Sequence, residues 1–500
     1  VGWAGEEVKT MAGILLFVIG LLFTTQAFIG LCFLLSSIWE KEKRASAFAV
    51  LQFLGMLGLL ILFLVLWKSR FYETGPGVAA LIAALILVAV AAFFLLRRTA
   101  PNETALKGTM GHVVGQVKRY DEREIMFARN RSLRPGSEEY KTFYGQHPEL
   151  EAYDTHRRER GGPLGQTGST DRPADGPNVA AAMASLSIPM HLSRQDQVKP
   201  HPHPVLKGKK FQLPPEQATE RVKGYALHLG ADLVGITEIN PLWIYSHRGE
   251  IFHENWEDWG KEIAVSDRRY AIVFATEMDS TMVGAAPHTP TVVESMFNYG
   301  KGAYIATQLA AFVANLGYSA AANHLRHYEA LLVPLAVDAG LGETGRLGYL
   351  ITKEFGPRIR LGAVTTDLPL VADKPVDIGV EEFCRICKKC ALCCPSQSIP
   401  TGERMEVNGS LRWKLNAETC FDYWGKIGTD CNICMRVCPW SHGRTFPHRL
   451  IVELVSRNKG ARGIFSVMDD IFYGKKPKSK TPPPWAGYTS VGEVTHPPRP

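Results

Sequence analysis

Three stretches near the start of the chain hold no charged residue at all: 30 residues between Lys9 and Glu40, 23 between Arg44 and Lys68, and 23 between Glu73 and Arg97. About 20 apolar residues suffice to cross a bilayer as a helix, so a purely soluble protein is excluded. Cysteine is scarce over most of the length: apart from Cys32, none occurs before Cys384. A strong excess of one charge is missing too. The 56 basic and 49 acidic residues leave a formal +7, and the basic ones form no dense run, so no nucleic-acid partner is expected.

What is present suffices for more than one core. The chain has 500 residues, 46% of them apolar and 21% charged, which suits two to four folded units and excludes a wholly disordered protein. The three apolar windows are too long and too many for a signal peptide, and Arg97–Arg98 follows them as a stop-transfer anchor instead of preceding them as an export signal. With the N-terminus outside, Lys41, Lys43, Arg44, Arg97, Arg98 and Lys107 face the cytoplasm against Lys9, Lys68 and Arg70. The count favours a multi-pass protein of the cell (inner) membrane with a cytoplasmic catalytic portion. No window carries an ionisable residue that would mark an ion path, nor paired histidines for haem, so the windows read as an anchor in the lipid bilayer.

Beyond the anchor, residues 101–210 are polar, with a Gly/Pro/Asp-rich stretch at 161–178, and read as loops and short helices. From 211 the pattern changes. Residues 231–237, 270–278 and 358–368 read as buried strands and 292–316 as a long helix, an alternation that suggests an α/β or α+β layer. The tail from 475 is Pro-rich.

Nine cysteines crowd between Cys384 and Cys438, which points to metal and not to a disulfide framework. Cys384-x2-Cys387-x2-Cys390-x3-Cys394-Pro395 has the spacing of a bacterial ferredoxin, and Cys431-x2-Cys434-x3-Cys438-Pro439 repeats it, with Cys420 as the early first ligand. In that arrangement the fourth cysteine of each run crosses to the other cluster. Cys384, Cys387, Cys390 and Cys438 therefore go to one 4Fe–4S cluster, and Cys394, Cys420, Cys431 and Cys434 to the other. Zinc is the competing reading, but it wants two pairs of ligands around one ion. Cys393 is left over as a small buried residue.

GLGETG (340–345) fits the dinucleotide fingerprint, yet it follows the helical ALLVPLAVDA instead of a strand, and a nicotinamide site is not expected. Taken in order, AFVANLGYSA (311–320), PLAVDAGLGETGR (334–346), FGPRIRLGAVTTDLPL (355–370) and the double ferredoxin block resemble the corrinoid-dependent reductive dehalogenases, with the epoxyqueuosine reductases as more distant relatives. The resemblance covers roughly residues 120–475 and includes MFARNRSLRPGSEEYKTFYGQHPELEAYDTHRR (126–158), DLVGITEINPLWIYSHRG (232–249) and MDDIFYG (468–474).

After the three transmembrane helices read from the apolar windows, the resemblance implies an α/β (nitroreductase-like) cobalamin-binding domain and a bacterial two-cluster ferredoxin-like domain. The two readings together divide the chain into an anchor at 1–100, a polar region packing on the core at 101–210, the catalytic domain at 211–380, the ferredoxin-like domain at 381–445 and a C-terminal wrap and tail at 446–500. The cofactors implied are base-off cobalamin and two 4Fe–4S clusters. The reaction implied replaces the halide of a small organohalide by hydrogen, with electrons from an unidentified donor.

Carried over by offset, the family's tyrosine acid falls on Tyr299, 13 residues before Phe312, and its arginine on Arg360, with Arg358 as competitor. A guanidinium beside a phenol would tune it as an acid. The third position, Asn or Lys in the family, falls on His327, with Asn323 four residues earlier as the alternative. On a helix, Tyr299 shares a face with Ala303, Ala306 and Ala310, where small residues let a flat ligand approach, whereas Tyr304 goes with Met296, Phe297 and Phe312 on a bulky packing face. Ala303, with Gly340, Gly342 and Gly345, is a candidate corrinoid-contacting position. Two other functions stay open: an epoxyqueuosine-reductase-like corrinoid enzyme, and a membrane iron–sulfur electron-transfer protein without corrinoid.

Overall fold

The computed structural model describes residues 2–70, 74–160, 175–192, 201–206, 208–251, 257–265 and 267–488. Residues 161–174 of the Gly/Pro/Asp-rich stretch and 489–500 of the Pro-rich tail lie outside the described residues. The chain forms two compact units. One joins Val1–Ala100 to Gly443–Pro477; the other holds Pro101–His442 and Lys478–Pro500. The region read from sequence as a single C-terminal wrap is thus divided between them.

The first unit contains the helices Gly2–Trp39, Lys43–Lys68 and Gly75–Leu96. Each is long and apolar enough to cross a membrane, the third with a mean hydropathy of 3.1. Phe17, Leu87 and Leu96 are 73, 71 and 67% exposed, a display of large apolar side chains that lipid tolerates and water does not. Two amphipathic helices, Phe446–Arg457 and Lys459–Phe472, complete the unit. Phe472 stands edge-on to Phe33 at 5.1 Å between ring centroids. Beside it lies a buried polar knot. Glu40 accepts from Ser36 at 3.2 Å and lies 3.3 Å from His448 Nδ1, while His448 Nε2 is 2.8 Å from the Tyr473 hydroxyl. Asn458, at the turn between the two C-terminal helices, donates to the carbonyls of Phe94 and Arg97 and satisfies acceptors that the third membrane helix leaves open at its end.

The second unit is built on strands β1 (Leu233–Glu238), β2 (Tyr270–Glu277) and β3 (Ala320–Asn323), a two-residue hairpin β4 (Glu343–Thr344) and β5 (Leu350–Ile351), and β6 (Ile359–Thr366). The main sheet has the order β1-β2-β6-β3 and is antiparallel throughout, so the layer is α+β and not a parallel α/β sheet. Both faces of β2 are covered, which is why its apolar run is unbroken. Ile272 and Phe274 join one core with Ile305, Leu309 and Val313 of the long helix; Ala271, Val273 and Ala275 join another with Leu335 and Val337.

That long helix spans Thr289–Asn315, three residues earlier at its start than the sequence pattern indicates, because Pro290 sits in its first turn. It ends where Gly317 takes a left-handed φ of 89°. A helix not foreseen in the sequence, Gly176–His191, runs along it. Gly300 permits the approach: a Cβ there would lie 2.9 Å from the Ser185 carbonyl oxygen. A second small hairpin, β7 (Met405–Val407) and β8 (Ser410–Arg412), lies between the two cysteine runs.

Candidate active site

The cysteines gather as two separate sets. Helix Val380–Cys387 carries Cys384 and Cys387, helix Lys389–Cys393 carries Cys390, and Cys438 joins them from the far end of the block. These four line one cavity of about 290 Å³ of empty space. Cys394, Cys420, Cys431 and Cys434 line another of about 430 Å³. Lys388 and Asn432, each directly after a cysteine of its run, both take left-handed backbone with φ of 54° and 52°, a turn that non-glycine residues rarely make. Cys393 is buried and lines neither cavity. Burial pushes the Cys384 thiol up to about 11 and Cys420 up to about 12. Among the described residues no three His, Cys, Asp or Glu side chains are grouped to hold a single metal ion.

Cys420 is pinned from outside its run. It lies on helix Ala417–Ile427, whose Glu418 receives Arg129 at 2.7 Å and Arg157 at 2.6 Å. Both arginines are 2–4% exposed and share the fully buried Asp154. The polar region 101–160 therefore serves as a buried brace for the second cysteine set.

Arg360 stands near the start of β6, opposite Thr276. Its guanidinium lies over the Tyr299 ring, 5.2 Å from the centroid. It donates to Ser295 Oγ at 2.8 Å and lies 3.6 Å from Asp430 Oδ2, while Ser295 donates to the same carboxylate. Asn432 adds a 2.8 Å bond to Asp430 and a 3.0 Å bond to Thr291. Burial pulls the Arg360 pKa down, but the neighbouring Tyr299 and Asp430 outweigh it and the net direction is up. Burial pushes the Asp430 carboxyl up to about 6 against the pull of Arg360. Ser295, Asp430 and Asn432 were not singled out in the sequence, although two of them flank Cys431.

Arg358 is occupied elsewhere: its Nε donates to the Ser441 carbonyl at 2.9 Å and its Nη1 meets Glu277 at 3.2 Å. Tyr328 and Tyr349 also belong to the Arg360 site. Burial raises both their pKa values, with Tyr299 adding to each, and the thiols of Cys420 and Cys434 adding at Tyr349. Tyr299, Tyr328, Tyr349 and Arg360 each keep part of their surface accessible. Tyr349 also lines the cavity of the second cysteine set, which therefore adjoins this group of side chains.

The remaining expectations fare unevenly. His327 is buried with its ring 4.7 Å from that of His324, in the segment that leaves β3 at the same end of the sheet as Arg360. Asn323 is bound to its own backbone surroundings, accepting from the Glu329 amide at 2.8 Å. Ala306 and Ala310 lie in the core, so that face packs on the sheet, and Ala303 is wholly buried. Tyr304 and Phe297 are 48 and 52% exposed and do not form a packing face. A Cβ on Gly340 would meet the Lys374 carbonyl oxygen at 2.4 Å, and one on Gly342 that of Ile351 at 2.2 Å. Neighbouring backbone, not a ligand, demands glycine at both positions. Gly345 lies beside the first cysteine set, its Cβ position 3.7 Å from Cys384 Sγ. GLGETG does follow a helix, Leu332–Asp338, and opens a hairpin.

No family model matches the chain. It is 33% identical over 292 residues to a tetrachloroethene reductive dehalogenase of Sulfurospirillum multivorans, covering 52% of this chain and 58% of that protein. A second tetrachloroethene reductive dehalogenase, of Dehalobacter restrictus, is 35% identical over 276 residues, 47% of this chain and 50% of that protein. Among solved structures, a catabolic reductive dehalogenase superposes with a TM-score of 0.59 at 26% identity, over 76% of this chain and 49% of that one. These matches make the chain similar to reductive dehalogenases in both sequence and fold. It spans about half the length of the curated relatives it matches. The more distant likeness is present as well: an epoxyqueuosine reductase of Lactococcus garvieae is 34% identical over 116 residues, 22% of this chain and 32% of that protein.

Proposed function

We propose that this reductive dehalogenase homologue is a membrane-anchored enzyme that replaces the halogen of a small organohalide by hydrogen, taking up two electrons and one proton and releasing halide. One relationship carries the reading. Tyr299 and Arg360 meet near Tyr349, which lines the cavity of the second cysteine set, so a proton donor and an electron route converge.

The donor sets fit the cofactors. Buried thiols with raised pKa values stay protonated on their own, and the positive charge of iron favours the thiolate form that ligates. Cys384, Cys387, Cys390 and Cys438 would hold one 4Fe–4S cluster, and Cys394, Cys420, Cys431 and Cys434 the other. Arg360 Nε is buried without a partner among the described residues, and the partly exposed phenols of Tyr299 and Tyr328 would add polar contacts for a corrinoid fringed with amides. A corrinoid held by these residues would supply the low-potential electrons for cleaving the carbon–halogen bond.

The chain's own residues do the rest. The Tyr299 hydroxyl gives its proton to the carbon that loses the halogen. Arg360, oriented by Ser295, fixes the ring and sets a positive charge beside the departing anion. His327 takes the third position, since Asn323 is already engaged with backbone. The three apolar helices anchor the chain in the cell membrane, and the charge count puts the catalytic portion on the cytoplasmic side.

A panel of organohalides offered to reduced, corrinoid-loaded protein, with free halide measured, tests this. Halide release that requires corrinoid is expected. Clusters that reduce normally while no compound loses halide would point instead to a membrane electron-transfer protein.

A further inference from the structure

Arg346 is 0% exposed, the deepest arginine among the described residues. Its Nε donates to the Cys384 carbonyl at 3.0 Å and its Nη1 to the carbonyls of Pro400 and Gly402 at 2.9 and 2.6 Å. Trp413 lies flat against it at 4.6 Å. Nη2 has no partner, and among the described residues Arg346 forms no ion pair. A buried guanidinium without a counter-charge is strongly unfavourable, so the fold calls for an anion at this place. Arg346 lines the cavity of Cys384, Cys387, Cys390 and Cys438. Trp440, 5% exposed, lines the same cavity, and its Nε1 is likewise unpartnered.

The second cavity differs. No Lys, Arg or His lines it, and its one charged side chain, Asp430, is paired with Arg360. The first has Arg346 and Lys388 in its wall.

We infer that Arg346 and Trp440 set the reduction potential of the cluster held by Cys384, Cys387, Cys390 and Cys438, raising it above that of its neighbour. The inference rests on reading the cysteine sets as 4Fe–4S ligands. A four-thiolate cluster is anionic, and each one-electron reduction adds one negative charge to it without a bond forming or breaking. A fixed cation and N–H donors near its sulfurs favour the reduced form and raise the potential; the wall of the second cavity supplies no such cation. Electrons would therefore rest on the first cluster, and the second, whose cavity Tyr349 links to Tyr299 and Arg360, would be the stronger reductant.

The full chain, reconstituted anaerobically in detergent, can be titrated with dithionite through redox mediators and followed by electron paramagnetic resonance. Wild type should give two midpoints. Arg346→Gln keeps hydrogen-bonding capacity but removes the charge, and should lower the higher midpoint while the other stays. Trp440→Phe keeps the ring, removes the N–H, and should lower the same midpoint by less. Should Arg346→Gln lose the cluster, Trp440→Phe decides alone. Unmoved midpoints, or equal shifts of both, would overturn the inference. Wild type lacking two clusters would instead overturn the ligand reading beneath it, which iron content reports separately.

Discussion

The Arg360 guanidinium lies face-on to the Tyr299 ring at 5.2 Å, and the serine that holds it there, Ser295, is one helical turn before that tyrosine. The proposed acid, its cation and its tether thus come from one helix and one strand end, so small changes in their geometry act on a single group.

Tyr299→Phe keeps the ring under Arg360 and removes the transferable proton. Halide release should fall by ~10²-fold or more with corrinoid and iron content unchanged. Tyr304→Phe, at a half-exposed position, should leave turnover near wild type. The reverse pattern would mean that the family register on this helix is misread.

At Arg360, lysine retains a positive charge but not the planar group that spans Ser295 and the ring. Arg360→Lys should therefore lose less activity than Arg360→Ala, and both should lose more than Arg358→Lys at an arginine tied to Glu277 and Ser441. Steady-state halide release under saturating reductant ranks the three.

Iron content tests the cysteine sets. Wild type should hold about eight irons, the sum of two four-iron clusters. Cys393→Ser should keep them and Cys390→Ser should lose about half. Equal loss in both variants would sink the assignment.

For the membrane side, protease added to sealed, right-side-out cells should spare everything after Arg98. External digestion of that portion would reverse the orientation drawn from Lys and Arg counts.

Glu122 gives a pH-dependent handle on stability. It is 2% exposed, and burial pushes its carboxyl up to about 8, against the opposing bond from the Gly249 amide. The unfolded chain releases this proton near 4.5, so between about 4.5 and 8 the folded state binds more protons than the unfolded one. Stability from this group falls as pH rises through that window. Glu122→Gln stays neutral throughout and should gain in Tm relative to wild type at pH 9 compared with pH 5. An identical difference at both values would rule Glu122 out as the source.

Residues whose role follows from spacing along the chain were legible in advance; those whose role follows from packing were not. Ferredoxin spacing sorted eight cysteines into the two sets that line the two cavities, because the crossing of the fourth ligand is a property of the repeat. Three of the four strands of the main sheet were found within two residues, since β2 is apolar on both faces and bounded by charge; β3, the short run Ala320–Asn323, was not. The alternation of strands and helices did not reveal antiparallel pairing, because the helices return the chain to the same sheet in either arrangement. Ranking helix faces by side-chain size misassigned Tyr304: the face on the sheet mixes Ala306 and Ala310 with Ile305, Leu309 and Val313, while Phe297 and Tyr304 stay half exposed. Arg346, Ser295 and Asp430 carry no local signal, as each matters through a partner 38 to 135 positions away.

The knot of Glu40 and His448 joins residues 408 positions apart within one unit. Synthesis runs from the N-terminus, so the three apolar helices emerge first and Glu40 waits without His448 while the whole cysteine block is made. Assembly of this unit is thereby timed: the Glu40–His448 contact closes only after the last cysteine, Cys438, has left the ribosome.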